Sequence, residues 1–188
     1  MNLLVALLRK RVASPLSYQS LSEDIGVSPN TIKHYIDILE ALYIVFRIYP
    51  YHNSIARSLK QQPKLYFFDT PLVEGDAQRL ENLAALSLYR HLCFLEDSDG
   101  LQRKLCYLRT KEGREVDFLL VKEEKPELML EIKISDRNLD ENLIYFNKRY
   151  QFPGIQHVAD LRLEKESGKL KVRRLLDYLS GGLDENVV

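Results

Sequence analysis

Three polar residues lie inside apolar segments of the second half of the sequence. Asp117 interrupts one predicted strand, and Glu131 and Lys133 occupy alternate positions of the next. Because successive side chains of a strand point to opposite faces, Glu131 and Lys133 share one face. An uncompensated buried charge is unfavourable, so such residues need an oppositely charged partner or a metal ion. The sequence therefore predicts a functional cluster here.

The chemistry that these residue types suit is metal-assisted hydrolysis. Asp117, Glu131 and a carboxylate from the preceding helix, Glu81, would make a hard oxygen site for Mg²⁺, with Mn²⁺ as a substitute. Lys133 beside them could stabilise a developing phosphoryl charge or orient a water. We therefore predict Glu81, Asp117 and Glu131 as metal ligands, and all four residues as catalytic. Two alternatives stay open, a solvent-facing Glu-x-Lys ion pair and a buried ion-pair network without catalytic function.

The elements that would position this cluster follow from hydrophobic periodicity. They are a helix at 78–95 with Glu81 in its first turn, strands at 104–109, 115–121 and 127–134, a helix at 139–150 and a strand at 155–161. A further strand at 170–172 leads toward a short C-terminal helix. The fold class is α/β (α+β), with an α-β-β-β-α-β domain over residues 63–180 and a flexible tail at 181–188.

The first 62 residues have a different pattern. Apolar residues predict a helix up to about Val12, and a second helix capped by Ser17 or Ser20 and ended by Gly26. Ser28-Pro29 starts a third helix, whose predicted apolar face consists of Ile32, Tyr35, Ile36, Leu39, Leu42 and Tyr43. A β-rich run at 44–49 follows. This order is that of a winged helix-turn-helix, a DNA-binding architecture.

The charge distribution makes this end the better candidate for DNA binding. Residues 1–64 carry eight Lys and Arg against four Asp and Glu, whereas the remaining residues carry 19 against 23. Binding to DNA depends strongly on neutralising phosphates. The residues predicted to contact DNA are Asn30, Thr31, Lys33, His34, Arg47 and Arg57. The alternative is a packing or dimerisation module, because Asp37 and Glu40 add negative charge to the third helix.

Several classes of protein are disfavoured by what the sequence lacks. It has only two cysteines, without zinc-ligand spacing, and no apolar stretch long enough to cross a bilayer. Its N-terminal basic residues follow the apolar run, which is the reverse of a secretory signal. We therefore expect a cytoplasmic protein without a membrane partner.

Several segments together resemble a known family. They are Tyr35 to Tyr43, Pro63 to Thr70, Glu81-Asn82, Arg109 to Phe118 and Glu131 to Ser135. Over about residues 3–180 the chain resembles the C-terminal domain, catalogued as domain of unknown function 4143, of a family of predicted prokaryotic AAA+ ATPases. The resemblance implies a winged helix joined to a restriction-endonuclease-like, PD-(D/E)xK nuclease fold, with its acids at Glu81, Asp117 and Glu131 and its lysine at Lys133.

The resemblance also bears on function and partners. It implies a DNA-binding protein with a nuclease-like domain that could hydrolyse phosphodiesters with Mg²⁺. The alternative is a non-catalytic DNA- or protein-binding regulatory module of an AAA+ ATPase. No Gly-x-x-x-x-Gly-Lys-Ser/Thr phosphate loop occurs in the sequence, so we expect the ATPase module elsewhere in the same gene or in a neighbouring one.

Overall fold

The computed structural model describes residues 2–52, 62–135 and 138–181. Within these residues the fold is mixed α/β, with helices and eight strands. Packing divides the chain into two compact units: a first unit of Met1–Tyr49 with Ser54–Leu86, and a second unit of Pro50–Asn53 with Ser87–Val188. The predicted domain boundaries at 62 and 181, which concern independent folding, stay predictions.

The first unit begins with three helices. Its elements are α1 (Asn2–Arg9), α2 (Tyr18–Ile25), α3 (Pro29–Ala41), β1 (Val45–Pro50), β2 (Lys64–Phe67), a 3-10 helix (Thr70–Leu72) and the start of α4 (Asp76–Asp99). Strands β1 and β2 pair antiparallel, with Val45 opposite Phe67. Helix α1 ends at Arg9, about one turn before the predicted end.

Local capping determines where α2 and α3 begin and end. The Ser17 hydroxyl accepts a hydrogen bond of 3.2 Å from the backbone N–H of Ser20, so Ser17 is the cap of α2. Gly26 ends that helix with a left-handed φ of 78°. The Ser28 hydroxyl accepts from the N–H of Thr31 at 3.1 Å and caps α3. These start and stop predictions are confirmed.

The buried face of α3 is shorter than predicted. Ile32, Ile36 and Leu39 are buried, as the periodicity predicts, but Leu42 and Tyr43 are exposed. The reason is that α3 ends at Ala41 and Tyr43 adopts a left-handed φ of 54°. Beyond the end of the helix the 3.6-residue period no longer determines which way a side chain points.

The second unit is built around a six-stranded sheet. Its elements are the rest of α4, then β3 (Arg103–Arg109), β4 (Glu115–Lys122), β5 (Lys125–Lys133), α5 (Glu141–Tyr150), β6 (Gly154–Val158), β7 (Lys165–Ser167), β8 (Leu170–Arg174) and α6 (Leu175–Gly181). The strand order is β3-β4-β5-β6-β8-β7. Strands β5, β6 and β8 run parallel and the other neighbours antiparallel. The predicted α-β-β-β-α-β order is confirmed.

Several predicted boundaries are wrong by two or three residues. Helix α4 begins at Asp76, so Glu81 lies in its second turn and not in its first. Helix α5 begins at Glu141 because Asp140 serves as its cap. Strand β6 ends at Val158, and the short edge strand β7 was not predicted. Gly181 is the last residue of α6, whereas residues 182–188 of the predicted tail lie outside the described residues.

The core of the second unit holds α5 against the sheet. Leu143 and Phe146 of α5 are buried in one cluster with Val116, Leu119 and Met129 of β4 and β5. Burial of such side chains contributes about 1.5–3 kcal/mol each relative to exposure. This packing fixes the N-terminus of α5 relative to the strands that carry Asp117 and Glu131.

Candidate functional site

Asp117 and Glu131 link the ends of β4 and β5 through their carboxylates. The backbone register of the two strands reaches Phe118 opposite Leu130. Beyond that pair, the Glu131 carboxylate accepts a hydrogen bond from the backbone N–H of Asp117 at 3.2 Å. The Asp117 carboxylate accepts from the N–H of Ile132 at 3.0 Å. Side-chain oxygens thus stand where backbone carbonyls would continue the ladder, and the two carboxylates are brought together.

Lys133 joins this pair, as the sequence predicts, and brings in a residue that sequence reasoning missed. Its Nζ lies 2.8 Å from Glu131 Oε1 and 3.0 Å from Asp140 Oδ2. The lysine therefore bridges a carboxylate of β5 and the residue that precedes α5. We call Asp117, Glu131, Lys133 and Asp140 the carboxylate–lysine cluster.

Asp140 is held in place by several hydrogen bonds. Its Oδ1 accepts from the backbone N–H groups of Asn142 at 2.8 Å and Leu143 at 3.4 Å, which caps α5. Its own N–H donates to Oε1 of the buried Gln156 at 2.8 Å. The sequence signal was an Asp at the start of a predicted helix, but the helix was predicted to begin at 139, which hid the cap.

Burial and charge pairing move the pKa values of Glu131 and Lys133 away from their ordinary values. Burial, followed by the charge of Asp117, raises the pKa of Glu131 to about 8 even though Lys133 lowers it. For Lys133, burial lowers the pKa, but its hydrogen bonds and charge interactions with Glu131 and Asp140 raise it well above the ordinary value. Lys133 is therefore an ammonium ion at neutral pH. Glu131, by contrast, is a carboxyl group whose ionisation is unfavourable without a further positive charge.

Glu81 belongs to the first unit, and two residues of that unit contact its carboxylate. Its carboxylate accepts a hydrogen bond from the Tyr66 hydroxyl at 2.8 Å. It also lies 3.3 Å from Nζ of Lys64, whose side chain is almost completely buried. The predicted assignment of Glu81 as a third metal ligand stays a prediction.

The cluster offers two carboxylates that could hold a divalent cation. In the described part of the chain, no group of three or more His, Cys, Asp and Glu side chains is arranged so that it could hold a metal ion. Mg²⁺, however, commonly keeps several waters and takes one or two protein carboxylates together with substrate phosphate. Asp117 and Glu131 supply two, and Glu131 is the carboxylate whose raised pKa a bound cation would bring back down.

The outward face of α3 presents most of the predicted DNA contacts. Asn30, Lys33 and His34 are exposed, whereas Thr31 is half-buried. The Thr31 and Ser28 hydroxyls lie 2.9 Å apart and share a hydrogen bond. Polar and basic groups are thus available on the first two turns of this helix.

Arg47 has an internal role that the sequence did not indicate. Its guanidinium lies 2.8 Å from Asp37 Oδ1, hydrogen-bonds the Glu40 carboxylate and donates to the Tyr18 hydroxyl at 3.2 Å. Its side chain is largely buried, so its charge serves the two acids of α3. The same pairing neutralises the acids that weakened the DNA-binding interpretation. Arg57 lies outside the described residues.

Comparison with known proteins gives one finding. Residues 1–81 match the model of a domain of unknown function, DUF8612, which covers less than half of the chain. No curated protein and no protein of solved structure matches the chain. The predicted resemblance to domain of unknown function 4143 stays a prediction. Among residues 2–52, 62–135 and 138–181, no helix has the length and apolar character needed to cross a membrane.

Proposed function

We propose that the second unit carries a metal-dependent phosphodiester hydrolysis site of the PD-(D/E)xK type. The observation that carries the proposal is the convergence of Asp117 and Glu131 with Lys133, whose Nζ lies 2.8 Å from Glu131 Oε1. An Asp on one strand and Glu-x-Lys on its neighbour are the residue types that this chemistry uses. The order of α4, β3, β4, β5, α5 and β6 supports the proposed restriction-endonuclease-like fold.

The four residues of the cluster share three tasks in this proposal. Mg²⁺, or Mn²⁺ in its place, would supply Lewis acidity and a nucleophilic water when bound. Asp117 and Glu131 would hold it. Lys133 stays protonated, so it stabilises negative charge on the phosphoryl oxygens and does not act as a general base. Asp140 is a positioning residue, because it fixes the Lys133 ammonium from the capped start of α5.

The first unit is proposed to be a winged helix-turn-helix that binds DNA. Three helices, a Gly26 turn before α3 and the antiparallel β1–β2 pair support this architecture. The neutralisation of Asp37 and Glu40 by Arg47 supports a DNA-binding face on α3, because it reduces repulsion of phosphates. Lys33 and His34 are then the first residues to test.

Cleavage of supercoiled plasmid tests the hydrolytic proposal. The purified chain should nick or linearise the plasmid with Mg²⁺ or Mn²⁺, and EDTA should stop the reaction. Asp117→Asn keeps the shape of the side chain but removes its charge, and activity should be lost. Cleavage that persists in Asp117→Asn would come from another site or a contaminating nuclease and would refute the assignment.

A binding assay tests the proposal for the first unit. Duplex DNA should bind more weakly as salt increases, and Lys33→Glu should reduce both the affinity and the salt dependence. Affinity that is insensitive to salt and to Lys33→Glu would instead indicate a packing or dimerisation module.

A second function is favoured by the pairing of Lys133 with two carboxylates of the protein itself. Since Glu131 and Asp140 both pair with its Nζ, the cluster also suits a structural ion-pair network in a non-catalytic DNA- or protein-binding module of an AAA+ ATPase. That module would act with an ATPase encoded in the same gene or a neighbouring one. Absence of metal binding and of cleavage, with retained DNA binding, would favour this second function.

A further inference from the structure

Four side chains of the second unit form a strip in which guanidinium groups and aromatic rings alternate. The Arg114 guanidinium lies 4.8 Å from the centre of the Tyr145 ring. The Arg149 guanidinium lies 6.0 Å from that ring and 5.5 Å from the Tyr150 ring, and it donates a hydrogen bond of 2.9 Å to the Tyr145 hydroxyl. We call Arg114, Tyr145, Arg149 and Tyr150 the basic–aromatic strip.

The outermost ring of the strip is held firmly but stays accessible. Tyr150 stacks against the buried Phe146, with ring centres 6.0 Å apart, and against Phe152 at 5.5 Å. Even so, 46% of Tyr150 is exposed. An aromatic ring that is fixed by packing and open to solvent can receive a nucleic-acid base at a small entropic cost.

The charge around the strip favours an anionic ligand. Lys111 and Arg114 in the β3–β4 turn, together with Lys148 and Arg149 at the end of α5, are exposed. The same two segments contain a single acid, Glu112. Arginine planes can both stack on bases and pair with phosphates, so alternation of Arg and Tyr suits nucleic acid better than a simple anion.

The strip begins at the elements that carry the carboxylate–lysine cluster. Arg114 precedes Asp117 by three residues, which is about 10 Å along an extended chain. Tyr145 follows Asp140 by five residues, which is about 7.5 Å along a helix. A strand bound along the strip therefore passes close to the cluster.

We infer that the basic–aromatic strip binds single-stranded nucleic acid and leads it to the carboxylate–lysine cluster. Bases contact the exposed part of Tyr150 and the guanidinium planes, and phosphates pair with Arg114 and Arg149. The inference rests on the proposed hydrolytic site for the fate of the strand, whereas binding of the strand depends on the strip alone.

A binding assay in EDTA separates the proposed strip from the proposed hydrolytic site. Fluorescence anisotropy measures the binding of the full chain to a labelled single-stranded DNA of about 20 nucleotides. The full chain should bind this strand without metal, and Tyr150→Leu, which keeps an apolar side chain against Phe146, should raise the Kd roughly five- to twenty-fold. Tyr150→Phe should bind like the unmodified chain. Tyr43→Leu, at an exposed tyrosine of the first unit, is the matched control and should leave the Kd unchanged.

Other outcomes of these measurements would overturn one of the two proposals. A folded Tyr150→Leu variant that binds as tightly as the unmodified chain would overturn the inference. So would an equal loss in Tyr43→Leu, or an equal loss of binding to the duplex of the same sequence. If Tyr150→Leu fails to fold, Arg149→Gln takes its place, since that side chain is exposed. Strand binding without any cleavage would retain the strip and reject the hydrolytic site.

Discussion

Arg47 in the first unit and Lys133 in the second each lie between two carboxylates, but these two clusters bury opposite charges. In the first unit, Arg47 is the buried member, with 8% of its side chain exposed against 44% for Asp37 and 35% for Glu40. In the second unit, Lys133 is the most exposed member at 28%, against 7% for Glu131 and 17% for Asp140.

This difference separates a stabilising ion pair from a site ready for a ligand. Arg47 is compensated by acids that also contact water, so the pairing satisfies a buried charge and fastens β1 to α3. At the second cluster the incompletely compensated group is the buried carboxyl group of Glu131, which has a raised pKa. Perturbed carboxylates of this kind are common at functional sites, although structural networks produce them too.

The largest expected difference between the two clusters concerns activity. Lys133→Met should reduce plasmid cleavage by at least about a thousand-fold, because a charge that stabilises the phosphoryl oxygens is removed. The free energy of unfolding of this variant should change by less than about 1 kcal/mol, since Glu131 can take up a proton and Asp140 keeps its amide hydrogen bonds.

Arg47→Met is the matched change in the first unit. It should leave the cleavage rate of bound DNA within a few-fold but lower the free energy of unfolding by about 1–3 kcal/mol, because charge-assisted hydrogen bonds are lost. Cleavage assays and denaturant titrations measure both effects. The comparison fails if the two variants lose activity equally.

The next prediction concerns the sign of a change in the free energy of unfolding. Glu131→Gln should raise the free energy of unfolding at pH 7 by about 1–2 kcal/mol, because the folded protein prefers an uncharged group there. Glu40→Gln should lower it by about 1 kcal/mol or less, because it weakens a partly exposed pair with Arg47. Denaturant titration of both variants checks the signs. Destabilisation by both changes would mean that Glu131 is a well-compensated ion.

The smallest effect is a pH dependence of this stability gap. A folded-state pKa near 8 for Glu131, against about 4.5 unfolded, means that the folded state binds the extra proton between these values. The stability contributed by Glu131 is therefore complete below about pH 4.5 and is lost as pH rises toward 8. The gap between Glu131→Gln and the unmodified chain should widen over this range until it reaches the value of about 1–2 kcal/mol expected at pH 7, with a slope below the limit of about 1.4 kcal/mol per pH unit that one proton sets. A gap that stays constant between pH 5 and 8 would contradict the raised pKa.

Local capping and the pairing of neighbouring strands were predictable from the sequence, whereas pairing between a helix and a strand was not. Ser17 and Ser28 act on amides within three residues, so their caps could be predicted. Residues 117, 131 and 133 were brought together by strand alternation and element order. Arg47 looked like an exposed wing residue because nothing local indicates that Asp37 and Glu40 would neutralise it.

Asp140 was missed for a related reason. Its role depends on the packing of α5 against the sheet, which brings a helix cap beside the end of β5. A hydrophobic period shows which face of α5 is buried, but it does not show which residue of a neighbouring strand the cap will meet. Leu42 and Tyr43 illustrate the same limit, since the apolar pattern continued past the last helical residue.

Calorimetric titration with Mg²⁺, performed in two buffers of different ionisation enthalpy at pH 7, tests the central claim most directly. We expect millimolar or tighter binding with release of a proton, because Glu131 must ionise to hold the cation. Asp117→Asn should abolish the binding while the protein stays folded, and Asp37→Asn in the other cluster should leave it unchanged. Absence of binding to the unmodified chain, or binding that survives Asp117→Asn, would contradict a metal site at Asp117 and Glu131.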